Sequence, residues 1–215
     1  MHSLAEKLLF FRQFVAHPKM IGSVIPSSSA LIDALLSRVN WETTRLFVEY
    51  GPGLGTFTRP ILDRLGPKAR LVAIDTNPEF VGYLRRTITD PRLEVVNGSA
   101  ADVEEILGIR NGGERADHVL SGLPLSTLPS GVADLIAQST ARALRPGGSL
   151  LVYQYSRWFI RVLEPWFGEI DTDRVWRNIP PCVVAEARND AVSESTGQVE
   201  SPRDLVVQHT DKKVA

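Results

Sequence analysis

A glycine-rich segment and an aspartate beyond it are the residues best suited to bind a charged ligand. The segment reads EYGPGLG and places Gly51, Gly53 and Gly55 at alternate positions. Alternate glycines let the backbone turn sharply and approach a ligand closely, where a Cβ would collide with it. Asp75 ends the apolar run at 71–75 and lies 20 residues after Gly55. A carboxylate at that place can accept hydrogen bonds from both hydroxyls of a ribose, so the spacing predicts a site for an adenosyl compound.

Glu49 distinguishes between two kinds of adenosyl compound. A dinucleotide site needs the pattern G-x-G-x-x-G, and here the third glycine comes one residue early. A carboxylate two residues before Gly51 would repel a pyrophosphate but suits an ammonium group. The pattern therefore favours S-adenosylmethionine over NAD. A glycine turn without a ligand is the alternative, and it leaves both carboxylates unexplained.

The segment that begins at the end of the apolar run 118–121 is predicted to face the methyl acceptor. It reads Ser121-Gly122-Leu123-Pro124 and belongs to the same sheet edge as the glycines. Methyl transfer to nitrogen is a direct displacement that depends on alignment and desolvation, without a mandatory general base. The backbone carbonyls of Ser121 and Leu123 are expected to orient the amine. An ordinary proline-containing turn is the alternative.

Leu125 argues against an adenine acceptor. Adenine-amine methyltransferases carry an aromatic residue at this place, which stacks on a flipped base. Leucine cannot provide that stacking surface.

Aromatic and basic residues at the end of the apolar run 150–155 form a second candidate for substrate contact. The aromatic faces of Tyr153, Tyr155, Trp158 and Phe159 could hold a methylated ammonium, and the interleaved Arg157 could hold a phosphate. Core packing is the alternative and is expected to account for about half of the aromatics here. The remaining tryptophans, Trp41, Trp166 and Trp176, are interpreted as structural.

The N-terminal segment has the pattern of a basic amphipathic helix. Phe11 and Phe14 contribute to an apolar stripe, Arg12 flanks it, and Lys19 follows. Residues 1–22 are locally +2, which suits a helix lying in a membrane interface. A lid packed against the domain fits the composition equally well.

The elements that must position these residues alternate between strands and helices. Apolar runs at 46–50, 71–75, 93–97, 118–121 and 150–155 alternate with helical patterns at 56–65, 78–89, 101–107 and 130–144. Continuous apolarity predicts strands covered on both faces. The order predicts an α/β fold, a Rossmann-like doubly wound and mostly parallel sheet, closed by an antiparallel pair at 174–178 and 183–187. We expect N-terminal helices over 1–40, a methyltransferase domain over 41–188 and a polar, disordered tail over 189–215.

Composition excludes several classes of protein. The chain has 215 residues and a net charge of −1, from 24 basic and 25 acidic residues. This balance argues against binding nucleic acid by bulk electrostatics. The single cysteine, Cys182, excludes an internal disulfide framework and Cys-based zinc sites and fits a cytoplasmic protein. No apolar run approaches the length of a membrane span.

The motifs together resemble those of the bacterial phospholipid N-methyltransferases. GSVIPSS at 22–28 and SGLPLSTLP at 121–129 discriminate best, and EYGPGLG, IDTNPEF at 74–80 and NIPPCVV at 178–184 support them. The resemblance implies that Thr76 and the Ser99–Ala100 turn bind S-adenosylmethionine together with Glu49, the glycines and Asp75. Many members carry an acidic residue where this chain has Ser99, which leaves the adenine contact open. It also implies a relation to ribosomal RNA adenine dimethylases.

The expected activity is methylation of phosphatidylethanolamine and its partly methylated forms. The resemblance implies that the N-terminal helix docks on anionic lipid, so we expect a peripheral protein of the inner membrane face, without a nucleic-acid partner. An RNA adenine methyltransferase and a non-catalytic, cofactor-binding membrane module are the alternatives.

Overall fold

The computed structural model describes residues 28–178 and 180–190. Its strands are β1 (Leu46–Tyr50), β2 (Arg70–Asp75), β3 (Leu93–Asn97), β4 (Ala116–Ser121), β5 (Leu144–Gln154), β6 (Glu169–Val175) and β7 (Cys182–Arg188). Its α-helices are α1 (Ser29–Leu36), α2 (Thr58–Arg64), α3 (Pro78–Thr87), α4 (Val103–Ile106), α5 (Val132–Ala143) and α6 (Ile160–Leu163). The interpretations of Phe11, Arg12, Phe14, Lys19 and residues 191–215 lie outside the described part.

The described strands form one sheet in the order β3-β2-β1-β4-β5-β7-β6. The first five are parallel, β7 runs antiparallel to β5, and β6 runs antiparallel to β7. This confirms the doubly wound, mostly parallel sheet with its closing antiparallel pair. Among the described residues, no helix combines the length and apolarity needed to cross a bilayer.

Burial along the strands follows their place in the sheet. All five residues of the central strand β1 are buried, as its continuous apolar run predicts. Strand β3 lies at one edge, and of its five residues only Val95 is buried, so the prediction of full coverage is wrong there. Strand β6 is the other edge and begins at Glu169, five residues before the predicted start. Its polar sequence EIDTDRV suits an exposed edge and carries no apolar signal.

Two helices begin at the caps that their sequences indicate. The Ser28 hydroxyl accepts from the Leu31 amide at 3.2 Å and caps α1. The Asn77 side chain accepts from the Glu79 amide at 2.9 Å, with Pro78 at the first position of α3. The pattern at 101–107 becomes a 3₁₀ turn (Ala100–Asp102) followed by the short α4.

The core has two layers, one on each face of the sheet. On one face α5 and α6 cover residues such as Val48 and Phe159. On the other, α1 and α2 cover Phe47 and Val184. Trp41 stacks on Phe47 with ring centroids 5.7 Å apart, which confirms its structural role.

Asn189 belongs to the domain, although the sequence places it at the start of the tail. Its side-chain amide donates to the carbonyls of Ala141, Leu144 and Arg145 at 3.0–3.2 Å. Its backbone bonds to Gly147 and Gly148. These contacts connect the end of β7 to the last turn of α5 and to the first residues of β5.

Asp117 joins three segments at the amino edge of the sheet. Its Oδ2 accepts from the amides of Arg45 and Leu46 at 2.7 and 2.9 Å, and its Oδ1 accepts from the Arg145 guanidinium. Burial acts to raise the pKa of Asp117, but these three donors outweigh it and hold the pKa below its ordinary value. The ionised carboxylate therefore stabilises the fold at neutral pH, and this stabilisation disappears as the pH falls through the lowered pKa.

We expect Asp117→Ala to lower the free energy of unfolding by about 2–3 kcal/mol, because it leaves two sheltered amides without an acceptor. Urea unfolding at neutral pH measures the loss. Glu94→Ala is the matched control, because Glu94 and its partner Arg70 are both about half exposed, and it should change stability by less than about 0.5 kcal/mol. Equal effects of the two substitutions would contradict the assignment.

Candidate active site

The sequence-predicted site residues converge at the carboxyl edge of the parallel strands. Tyr50 is paired with Ser121, and Ser121 with Val152, so β1 and β4 end at the same level and β5 extends two residues beyond them. Asp75 ends β2 beside them and is paired with Asn97 of β3. This edge is where doubly wound sheets bind ligands.

The three loop positions require glycine for different structural reasons. All have positive φ angles, +64° at Gly51, +54° at Gly53 and +85° at Gly55. A Cβ at Gly51 would lie 3.0 Å from Leu123, and one at Gly55 would lie 3.0 Å from Leu84. A Cβ at Gly53 would meet nothing within 4 Å. Two glycines are therefore required by packing inside the chain, and Gly53 alone faces open space where a ligand could approach.

Asp75 shapes the glycine loop as well as facing it. Its Oδ2 accepts from the Gly53 amide at 3.3 Å, and its Oδ1 accepts from the Asn77 amide at 2.8 Å. Burial raises the pKa of Asp75 above its ordinary value, although the two amides oppose the shift. Each oxygen keeps lone-pair capacity for a further donor.

Glu49 is buried at the end of β1. Its Oε2 accepts from the Thr58 hydroxyl at 2.7 Å. Burial raises the pKa of Glu49 to about 8; the Thr58 bond lowers it and the nearby charge of Asp75 adds to the rise. Neither Glu49 nor Asp75 forms an ion pair with any described residue. The site is thus an acidic pocket in which a bound cationic group would favour the ionised form of Glu49.

Thr58 is a site residue that sequence reasoning missed. It lies at the first position of α2, three residues after the last loop glycine. Its residue type is the sequence signal that could have identified it, since a buried carboxylate on the preceding strand needs a hydrogen-bond donor such as a hydroxyl.

Thr76, Ser99 and Ala100 lie next to the carboxylates along the same edge. Thr76 is half-buried beside Asp75, and Ala100 is buried. The Ser99 hydroxyl accepts from the Ala101 amide at 3.1 Å and caps the following 3₁₀ turn. Asn97, which the sequence reasoning left out, donates from its side chain to the Asp75 carbonyl at 3.0 Å.

The Leu123 carbonyl is not free to orient an amine, so that prediction is wrong. It accepts from the Gln154 side chain at 2.6 Å and from the Leu125 amide at 2.9 Å. These two donors use both lone pairs of a carbonyl oxygen. Gln154 and Leu125 instead fix the shape of the acceptor loop, because Leu125 is buried in the core.

Ser121, Gly122 and Pro124 form the rest of this loop. Ser121 is buried, and its hydroxyl lies 3.4 Å from the Leu123 amide, which donates to it. The Gly122 amide donates to the Tyr50 carbonyl at 3.0 Å. Pro124 is half-buried and precedes a 3₁₀ turn.

Tyr153 is the aromatic residue that reaches the acceptor loop. A Cβ at Gly122 would lie 2.9 Å from the Tyr153 hydroxyl and 3.3 Å from the Gly51 carbonyl oxygen. The Tyr153 ring also stacks on Phe57 at 5.3 Å. Any larger residue than Gly122 would displace this hydroxyl, so the glycine brings Tyr153 against both loops.

The other aromatic candidates divide between core and surface. Phe159 is buried, whereas Tyr155 and Trp158 are exposed, which fits the expectation that about half of this group packs in the core. Arg157 is exposed and donates to the Thr172 hydroxyl at 3.3 Å. Trp176 is exposed in the turn after β6, so its structural interpretation is wrong; Arg174 lies 5.0 Å above its ring.

Comparisons with known proteins agree with this geometry. A family model described as a methyltransferase domain matches residues 47–148. The chain is 32% identical over 180 residues to the ornithine lipid N-methyltransferase of Singulisphaera acidiphila, spanning 83% of this chain and 93% of that protein.

Solved structures of an N-methyltransferase share the fold. NodS from Bradyrhizobium japonicum WM9 superposes with a TM-score of 0.61 at 17% identity, covering 74% of this chain and 94% of that one. Its complex with S-adenosyl-L-homocysteine gives a TM-score of 0.59 at 18% identity, covering 74% and 83%. Neither relative is a ribosomal RNA adenine dimethylase, and that relation stays a prediction.

The cofactor is S-adenosylmethionine. This agrees with the acidic pocket of Glu49 and Asp75 and with the open space beside Gly53. The chain is an S-adenosylmethionine-dependent N-methyltransferase and belongs to the class I methyltransferase family that also contains the ornithine lipid N-methyltransferase of Singulisphaera acidiphila.

Proposed function

We propose that this enzyme methylates the amine of a membrane lipid headgroup at the cytoplasmic face of the membrane. The observation that carries the proposal is the match to an ornithine lipid N-methyltransferase along nearly the whole of that relative. Phosphatidylethanolamine, which the sequence motifs imply, and an ornithine lipid both present a primary amine near an anionic group. The shared chemistry is therefore an amine with an adjacent anion.

The residues of the carboxyl edge fit the cofactor. Asp75 would accept from the ribose hydroxyls, Glu49 would face the ammonium of the methionyl part, and Gly53 leaves room for close approach. When bound, the cofactor supplies a methyl group on a cationic sulfur. Glu49 is buried without an ion-pair partner among the described residues, which suits contact with the ammonium of this ligand.

The acceptor side is suited to alignment. The loop 121–124 is held by the Tyr50 carbonyl, Gln154 and Leu125, so it presents one shape to the incoming amine. The Tyr153 hydroxyl lies against Gly122 and would contact the amine. Arg157 is exposed, forms no ion pair with any described residue and would hold the headgroup anion. Alignment and exclusion of water are the contributions that this displacement needs.

RNA is a poorer acceptor for this edge. Leu125 is buried and packs in the core, so it offers no face for stacking a flipped base. The net charge of −1 gives no bulk attraction to a polyanion.

Incubating the full chain with methyl-labelled cofactor and one acceptor at a time tests the proposal. The acceptors are vesicles of phosphatidylethanolamine, vesicles containing an ornithine lipid, and RNA. Label is expected in lipid, and the better of the two lipids identifies the headgroup. Asp75→Ala serves as the control and should label nothing. Label found solely in RNA, or in no acceptor, would overturn the proposal.

The raised pKa of Glu49 predicts that cofactor binding depends on pH. At neutral pH most of the free enzyme holds Glu49 protonated, and an ammonium beside it favours the carboxylate, so binding releases a proton. Affinity should therefore rise up to about tenfold per unit between about pH 6 and about pH 7.5, below the range where the ligand's own amine titrates. Calorimetry across this range measures the slope.

Glu49→Gln should remove this rise. Thr58→Val should move it to higher pH, because the lost hydroxyl no longer favours the carboxylate. Equal slopes for the wild type and Glu49→Gln would contradict the placement of the ammonium.

The glycine loop allows ligand contact to be separated from packing. Gly55→Ala should cost about 2–3 kcal/mol of stability, since a positive φ and a crowded Cβ both oppose it. Gly53→Ala should cost about 1 kcal/mol from its positive φ alone but should weaken cofactor binding at least about tenfold. Urea unfolding without cofactor and calorimetry with it measure the two quantities. Wild-type affinity in Gly53→Ala would show that the open side of the loop faces no ligand.

A further inference from the structure

Large apolar side chains that are exposed collect at one edge of the described structure. Tyr155 is 66% exposed, Trp158 47%, Trp176 69% and Leu54 52%. The fifth such residue, Tyr83 at 36%, lies apart from them on α3. Exposed tryptophans that cluster around a site entrance indicate a binding surface, because soluble proteins seldom leave such area in water without a partner.

The strand register places this cluster at the edge that holds the active site. Gln154, the last residue of β5, is paired with Val183, which is also paired with Arg174 of β6. Residues after Gln154 and after Arg174 therefore both extend beyond the carboxyl edge. We name the rim as Tyr155, Arg157, Trp158, Arg174, Trp176 and Arg177.

The rim is cationic as well as aromatic. Arg157, Arg174 and Arg177 are exposed, and among the described residues none forms an ion pair. Arg157 bonds to the neutral Thr172, and Arg174 lies over the ring of Trp176. These guanidinium groups remain available to an anionic partner.

Acidic residues of β6 are directed away from these arginines. Thr172 and Arg174 occupy alternate positions and share one face of the strand, while Asp171 and Asp173 occupy the other. Asp171 pairs with Arg38 at the end of α1, and Asp173 accepts from the Arg174 backbone amide at 2.6 Å. Strand β6 therefore separates its charges and presents its cationic face with the rim.

The N-terminal segment joins the domain at the same edge. The Ser28 amide donates to the side chain of Asn178 at 3.2 Å, and Asn178 lies in the turn that follows Trp176. Ser28 follows, six residues further along the chain, the segment 1–22 that the sequence predicts to bind a membrane interface. The rim is therefore continuous with the expected attachment point of the chain.

We propose that the rim docks on the surface of an anionic phospholipid bilayer, with its indole rings at headgroup depth and its guanidinium groups on lipid phosphates. Tryptophan and tyrosine prefer this interface, and arginine binds phosphate there while its stem stays in apolar surroundings. The proposal deepens the proposed function, on which it rests, because docking through the rim turns the acceptor loop toward the lipid amine. A basic surface for RNA would have to extend beyond this rim, and the overall charge is −1.

Vesicle sedimentation with the full chain tests the rim without using catalysis. The vesicles contain phosphatidylcholine alone or phosphatidylcholine and phosphatidylglycerol in equal parts. Arg174→Gln/Arg177→Gln should weaken binding to the anionic vesicles roughly 20-fold, since each arginine near such a surface contributes a factor of about five. Trp158→Ser/Trp176→Ser should weaken binding to both vesicles at least about tenfold. The control, Tyr83→Ser/Arg86→Gln, removes one exposed aromatic ring and one exposed guanidinium group from α3 and should bind both vesicles like the wild type.

Fluorescence quenching by brominated lipid reports contact directly. Vesicles with brominated acyl chains should quench the wild type strongly and Trp158→Phe/Trp176→Phe weakly, because the remaining Trp41 and Trp166 are partly buried. Equal quenching in both proteins overturns the proposal. It would mean that the N-terminal segment or another protein surface covers the rim.

The remaining outcomes separate this proposal from the proposed function. If rim variants lose vesicle binding and no lipid is methylated, the docking surface stands and the lipid substrate falls. If lipid is methylated and rim variants bind vesicles like the wild type, the substrate stands and the docking surface is wrong. Rim variants that bind vesicles normally and lose affinity for RNA would assign the surface to nucleic acid.

Discussion

Two acidic side chains buried at adjacent strand ends are the constraint on which this site depends. Glu49 is the penultimate residue of β1 and Asp75 ends β2, and no described cation pairs with either. Burial raises the pKa of both, and the chain offsets the cost with the hydroxyl of Thr58 and the amides of Gly53 and Asn77. The loop geometry follows from these bonds, because Gly53 must turn its amide toward Asp75. A cationic group bound beside Glu49 would favour its carboxylate form and relieve the remaining cost.

The two edges of the sheet divide stability from function. At the amino edge, Asp117 accepts from the Arg45 and Leu46 amides at the start of β1 and from Arg145 near the start of β5, and its pKa is lowered. At the carboxyl edge the acids are left short of donors, and their pKa values are raised. Acidic side chains thus have opposite roles at the two edges. At the amino edge, N–H groups at strand starts stabilise the carboxylate, whereas at the carboxyl edge the acids have fewer donors and stay open to a ligand.

The acceptor loop is rigid for reasons that lie outside its own sequence. Gln154 and the amide of Leu125 occupy the Leu123 carbonyl, and Gly122 fits between Tyr153 and the glycine loop. The glycine loop and the acceptor loop are therefore neighbours at one sheet edge, where a Cβ at Gly122 would lie 3.3 Å from the Gly51 carbonyl oxygen. Direct displacement requires this alignment more than it requires a proton acceptor.

The sequence by itself determined the parallel sheet, its order of elements and the identity of the cofactor. Buried strands read as continuous apolar runs, and loop glycines and strand-end carboxylates are local signals tied to fixed positions in this fold. The polar edge strand β6 and the exposure of Trp176 were decided by tertiary structure, because an edge strand needs no apolar pattern. The roles of Thr58 and Gln154 were decided there too: each depends on which buried acceptor lies opposite it, and that pairing of distant residues exists only once the chain has folded.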